Sequence, residues 1–179
     1  MKKVCAKYGV LLILDEVMCG MGRTGYLHAW QEENVVPDIQ ILGKGLAGGY
    51  QAISAVLINH TIANAFLNGP GRGMFSHGHT FQNFPRACVA GLAVQKIVRD
   101  DNLLENVKVK GKILQQRLNK QLMNHPHVGD IRGKGLFQGV GCSNSCHLSW
   151  LTMYRLSLCR TKRPRSHSRP IVTLRGDSM

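Results

Sequence analysis

The chain has 179 residues, 44% hydrophobic and 18% charged, which is enough for the core of one domain or one and a part. No apolar run approaches the roughly 20 residues that cross a bilayer, and the six cysteines have neither a disulfide-framework spacing nor a C-x-x-C pair, so a membrane-spanning helix and a disulfide-stapled secreted scaffold are both excluded. The net charge of +13 is uneven: residues 1–141 hold 16 basic against 9 acidic residues, and residues 142–179 hold 7 against 1.

The opening MKKVCAKYGVLLILDEV pairs two lysines with a short apolar run, as a signal peptide does. The run is only Val10 to Leu14, however, and it ends on two carboxylates with no small-residue cleavage site. An intracellular protein with reduced thiols is expected, in the cytoplasm or a mitochondrion. Residues Lys2 to Tyr8 read as the end of a helix with Gly9 as its cap. Val10 to Leu14 is apolar at every position, the pattern of a strand buried on both faces of a parallel sheet. Pro37 to Leu42 and Ile53 to Ile58 read as second and third strands, and their alternation with short helical stretches predicts an α/β fold.

From Pro85, which suits the first turn of a helix, the period changes to a helical one through Cys88, Leu92 and Val98. A second amphipathic run carries Leu103, Leu104, Val107, Leu114, Leu118 and Leu122 on one stripe and ends at His125-Pro126. Val128 to Val140 reads as turn and strand. Beyond it no period is sustained, and the basic stretch RTKRPRSHSRP predicts a solvated, disordered tail rather than a nucleic-acid-binding segment. The organisation is therefore a sheet-rich part, 1–84, a helix-led part, 85–141, and a tail, 142–179. Cys142, Cys146 and His147 lack a second ligand pair, so no metal site is expected.

Between the first two strands, Gly20, Gly22 and Gly25 spell G-x-G-x-x-G, and Asp38 follows at about the distance of a ribose-binding acid. A nicotinamide-dinucleotide oxidoreductase is the function that pattern would indicate. Its context argues otherwise. Five residues separate the strand from Gly20, two of them are carboxylates that repel a pyrophosphate, and little room is left for a helix before Pro37. Asp15 stands where ligands bind in open α/β sheets, outside the carboxyl end of a strand. Lys44 follows the second strand at the same expected edge, with Gly43 and Gly45 on either side. No Ser or Thr follows the lysine, so this is not a Walker A loop. An amine between glycines near a carboxylate suits a Schiff-base lysine, with the acid holding a protonated pyridine nitrogen, and so pyridoxal phosphate as cofactor.

Three blocks in this order, LLILDEVMCGMGRTG, PDIQILGKGLAGGYQAISAVL and HGHTFQNFPRACVAGLAV, resemble the class III aminotransferases, with the resemblance covering about residues 1–140. It implies part of a fold-type I pyridoxal-phosphate large domain over 1–84, then the start of the small C-terminal α+β domain over 85–141. It also implies a homodimer with the site at the subunit interface, and amino transfer from an amine or amino acid to a 2-oxo acid. By the same resemblance Asp15 bonds the pyridine nitrogen, Val17 packs on the ring, Met18 lies near its 3-hydroxyl edge, Lys44 forms the Schiff base, and Thr80 reaches the cofactor phosphate of the partner subunit. Arg23, Tyr26 and Trp30 would pack or pair beside the glycine loop, and His77 and His79 would flank Thr80.

The departures are Ala52 where the family has Pro, Phe84 where it has His, and Gly141 where a Glu usually follows. The family's upstream phosphate loop and ring-stacking aromatic have no counterpart. Neither has the later substrate-binding arginine, since Arg132 falls in a structural turn. An incomplete transaminase segment is the leading expectation, and a catalytically inactive truncated homologue the alternative.

Overall fold

The computed structural model describes residues 1–70, 73–143 and 173–175. Helix α1, Lys2–Lys7, buries Cys5 and ends at Gly9, whose left-handed φ of 61° turns the chain toward the sheet. Strand β1 is Ile13–Asp15, shorter than the apolar run suggested. Leu12 is fully buried, but its N–H donates to Asp38 Oδ2 at 2.8 Å, and its carbonyl accepts from Asp38 and Ile39 N–H at 2.9 and 3.2 Å. The backbone of Leu12 is thus spent on a carboxylate and a strand entry rather than on a ladder, so burial begins before pairing does.

A four-residue helix, α2, Trp30–Glu33, precedes β2, Ile39–Leu42. Strands β1 and β2 run parallel with Ile13 opposite Ile39 and Asp15 opposite Ile41. Strand β3, Ala55–Ile58, is antiparallel to β2, with Ala55 opposite Leu42. A helix the sequence did not announce, α3, His60–Asn68, follows directly, started by Asn59, whose Oδ1 accepts the Ile62 N–H at 2.9 Å.

Helices α4, Pro85–Asp100, with its proline at the first turn, and α5, Leu103–Leu122, match the two periodic runs. The stretch read as turn and strand is a hairpin of β4, Val128–Lys134, and β5, Phe137–Cys142, paired antiparallel. In the segment expected to be an irregular tail, Thr173–Arg175 forms β6, parallel to β1, with Arg175 in register with Asp15. Threonine and leucine suit a strand, so the tail does not lack structure at these three positions. Residues 144–172 and 176–179, with Cys146 and His147, lie outside the described residues. The sheet order is β3-β2-β1-β6.

Helix α4 lies on the turn after β2 through buried Ala87 and Gly91, and Gln95 Nε2 donates to Leu46 O at 2.9 Å. The hairpin docks on the glycine loop. The Leu136 N–H donates to Arg23 O at 3.1 Å, and Lys134 pairs with Glu32 at 3.1 Å and with Glu33. Among the described residues no helix is long and apolar enough to cross a membrane.

Candidate active site

Parallel pairing puts the carboxyl ends of β1 and β2 at one edge of the sheet, and both residues singled out for chemistry stand there. Asp15 ends β1, and Lys44 follows β2 by two residues. Asp15 is half-buried; its Oδ1 accepts the Val17 N–H at 3.0 Å, closing a local turn at the strand end. Its Oδ2 accepts no hydrogen bond among the described residues and is free for a donor from a ligand.

Lys44 opens a 3₁₀ turn, Lys44–Ala47, with a left-handed φ of 41° that side-chain-bearing residues rarely adopt. The turn is held from both ends: Leu46 N–H donates to Gly43 O at 2.9 Å, and Gln95 reaches the Gly45 and Leu46 carbonyls from α4. The amine itself is exposed and makes no ion pair among the described residues. Val17 packs where the two loops meet, since a Cβ on Gly43 would lie 3.4 Å from Val17 Cγ1. Asp15, Val17 and Lys44 therefore share one edge.

Met18 stands in the same turn and is 53% exposed. Thr80 does not join them. It is exposed on the loop between α3 and α4, as are His77 and His79, and no hydrogen bond ties it to the others among the described residues.

The glycine loop has a packing role. Gly22 and Gly25 both take φ near 94°, and a Cβ on them would meet Leu104 Cδ2 at 3.1 Å and Lys108 Cγ at 2.6 Å, so the loop folds against α5. No helix begins at Gly25, which leaves no helix N-terminus for a pyrophosphate. Asp38 is already engaged by Lys2, the Leu12 N–H and Asn59. Burial pushes its carboxyl up, but these partners outweigh that and hold it below its ordinary value. Tyr26 packs under Lys108, 4.7 Å from nitrogen to ring centre. A cleft of about 220 Å³ lined by Met21, Gly22, Gly45, Val98, Leu104 and Leu136 reaches the lysine turn at Gly45 but includes neither Asp15 nor Lys44.

Sequence reasoning passed over Glu16, Gln40 and Gln95. Glu16 is 3% exposed, and its carboxylate accepts from Ala29 N–H, Trp30 N–H and Gln40 Nε2 at 2.8, 2.8 and 2.7 Å. A glutamine inside the apolar strand Ile39–Leu42 was the one available signal.

An exposed lysine and a half-buried carboxylate thus stand together at the carboxyl edge of the parallel strands of an α/β fold. The family model of class III aminotransferases matches residues 1–157, and the chain belongs to that family. An aminotransferase of Gibberella zeae is 58% identical over 137 residues, covering 76% of this chain and 26% of its own length. The adenosylmethionine-8-amino-7-oxononanoate aminotransferase of Staphylococcus aureus is 41% identical over 140 residues, covering 78% and 31%.

An omega-transaminase from Thermomicrobium roseum superposes with a TM-score of 0.74 at 38% identity, over 80% of this chain and 31% of its own. The taurine:2-oxoglutarate aminotransferase of Bifidobacterium kashiwanohense, solved in complex with PLP and glutamate, gives 0.71 at 34% identity, over 78% and 30%. The α/β fold is that of the transaminases, as the resemblance implied. The chain spans about a quarter to a third of the length of the curated relatives it matches.

Proposed function

We propose that this chain carries the lysine and aspartate of a pyridoxal-phosphate-dependent transaminase, which moves an amino group from an amine or amino acid to a 2-oxo acid. The observation behind this is the convergence of Lys44 and Asp15 on one sheet edge, with no ion pair at the lysine amine and no hydrogen bond at Asp15 Oδ2 among the described residues. The donor set fits the cofactor: an amine for its aldehyde, an anion for its ring nitrogen, and an apolar side chain, Val17, beside them. When bound, pyridoxal phosphate supplies an electron sink that makes the substrate Cα proton acidic.

The chain's own residues do the rest. Asp15 would hold the ring nitrogen and favour its protonated form, and Lys44 Nζ would hold the cofactor's aldehyde carbon and move a proton at the substrate Cα. Val17 would pack on a ring face, and Met18 would lie near the 3-hydroxyl edge. Thr80 serves the partner subunit's phosphate in a homodimer, which agrees with its exposed position away from Asp15 and Lys44.

Borohydride reduction in the presence of pyridoxal phosphate tests the assignment. The wild-type chain should retain a pyridoxyl group on Lys44, found by peptide mapping, and Lys44→Ala should retain none. Equal labelling of both would refute the lysine assignment, and no uptake by wild type would make the chain an inactive homologue.

A further inference from the structure

Glu16 and Asp15 are neighbours in sequence, but they leave the strand on opposite faces. The Glu16 N–H donates to Ile41 O at 2.9 Å, so the β1–β2 ladder continues one residue past Asp15, and the Glu16 side chain turns to the face that holds Leu14 and Gln40. There its carboxylate takes three donors: Trp30 N–H on Oε1, and Ala29 N–H and Gln40 Nε2 on Oε2. Gln40 is equally engaged. Its Nε2 also meets His28 Nδ1 at 2.9 Å, and its Oε1 accepts from Trp30 Nε1 at 3.2 Å.

The amide has one orientation that serves all three neighbours, and it requires His28 Nδ1 to be an acceptor. The His28 ring stacks on Trp30 at 5.8 Å, and burial holds His28 below its ordinary value although Glu16 pulls it up. A saturated polar cluster that is this buried has few alternative arrangements.

The position of the cluster gives it a consequence beyond stability. Glu16 directly follows Asp15, and Gln40 lies on the strand that delivers Lys44. We propose that Glu16 is a positioning residue of the site: through Gln40 it locks the carboxyl ends of β1 and β2 from the face opposite Asp15, and so fixes the reach between Asp15 and Lys44. This role rests on the cofactor reading above.

The test uses the chain with added pyridoxal phosphate, measuring uptake and the visible circular dichroism per bound cofactor, which reports ring orientation. Glu16→Gln turns an amide N–H₂ toward the donors of Ala29, Trp30 or Gln40. It should weaken uptake about ten- to a hundredfold, the scale that outer partners carry at metal sites, and reduce the dichroism per bound cofactor. Pairing it with Gln40→Glu restores an amide–carboxylate contact between the strands and should recover part of both.

Gln40→Met, which cuts the tie while leaving Glu16 its two backbone donors, should reproduce the loss if Glu16→Gln does not fold. A folded Glu16→Gln or Gln40→Met chain with wild-type dichroism per bound cofactor overturns the positioning role and leaves the cofactor reading intact. Uptake that is absent in wild type, or unchanged in Lys44→Ala, sinks both.

Discussion

Replacing Gly91 and Gly111 by alanine, one at a time, tests how closely the helices approach the lysine turn and the hairpin. Both glycines are buried inside helices, α4 and α5, and in a helix interior alanine is favoured over glycine by about 1 kcal/mol. Their surroundings differ. A Cβ at Gly91 would meet Leu46 O at 3.6 Å and Ile53 Cδ1 at 3.8 Å, ordinary contacts that leave the helix gain intact. A Cβ at Gly111 would lie 2.5 Å from Gly135 C and O and 2.6 Å from its Cα.

That neighbour is backbone and cannot retreat. Gly135 sits at φ 56° and packs on Thr24, and the next residue is bonded to Arg23 O. Overpacking of this kind costs about 1–3 kcal/mol, occasionally more, and contact with fixed backbone belongs at the upper end. Set against the helix gain, Gly111→Ala should lose about 2 kcal/mol net. For a chain of this size that is a fall in Tm of about 4–8 °C, against a rise of about 2–4 °C for Gly91→Ala. Thermal unfolding followed by circular dichroism reads both. Shifts of the same sign would mean that propensity alone decides and that the approach of α5 to the hairpin is looser than described.

Two charged residues give further tests. Asp38→Asn removes the charge paired with Lys2 and turns one of the two oxygens that accept from Lys2, Asn59 and the Leu12 N–H into a donor, and should cost about 1–3 kcal/mol at neutral pH. Because the folded carboxyl lies below its ordinary value, its contribution is present above the unfolded pKa and lost as pH falls through the folded one. The deficit, read from denaturant melts at several pH values, should therefore close in acid. Lys134 is held above its ordinary value chiefly by its hydrogen bond to Glu33, so its contribution is present at neutral pH and lost only as pH rises through the folded pKa. It is also largely exposed, so Lys134→Met should cost under about 1 kcal/mol, a difference that vanishes in 1 M salt.

The parts of this fold that read clearly from sequence are those where one periodicity dominates. Val10 to Leu14 and Ile39 to Leu42 are apolar enough to announce strands, and the leucine stripe of α5 announces its helix. Helix α3 escaped because its apolar side chains stay mostly exposed, and its best signal was a single residue, the Asn59 cap. The start of β1 was misplaced because apolar character reports burial, whereas pairing depends on where the Leu12 backbone bonds go. The placement of Asp15 and Lys44 at one sheet edge was legible because each follows or ends an apolar run that reads as a strand. Glu16 was not, since its partners on α2 and β2 meet it only after the chain folds.

The left-handed φ of Lys44 has one more consequence. Only glycine takes such a conformation without strain, and other residues give up about 1–2 kcal/mol there. The side chain proposed to hold the cofactor therefore weakens the turn that presents it. In a lineage released from the need for the amine, mutation at this position would find glycine or asparagine to be improvements in fold stability. If the proposed role holds, the backbone angle at Lys44 marks a position where the demands of reaction and of folding diverge.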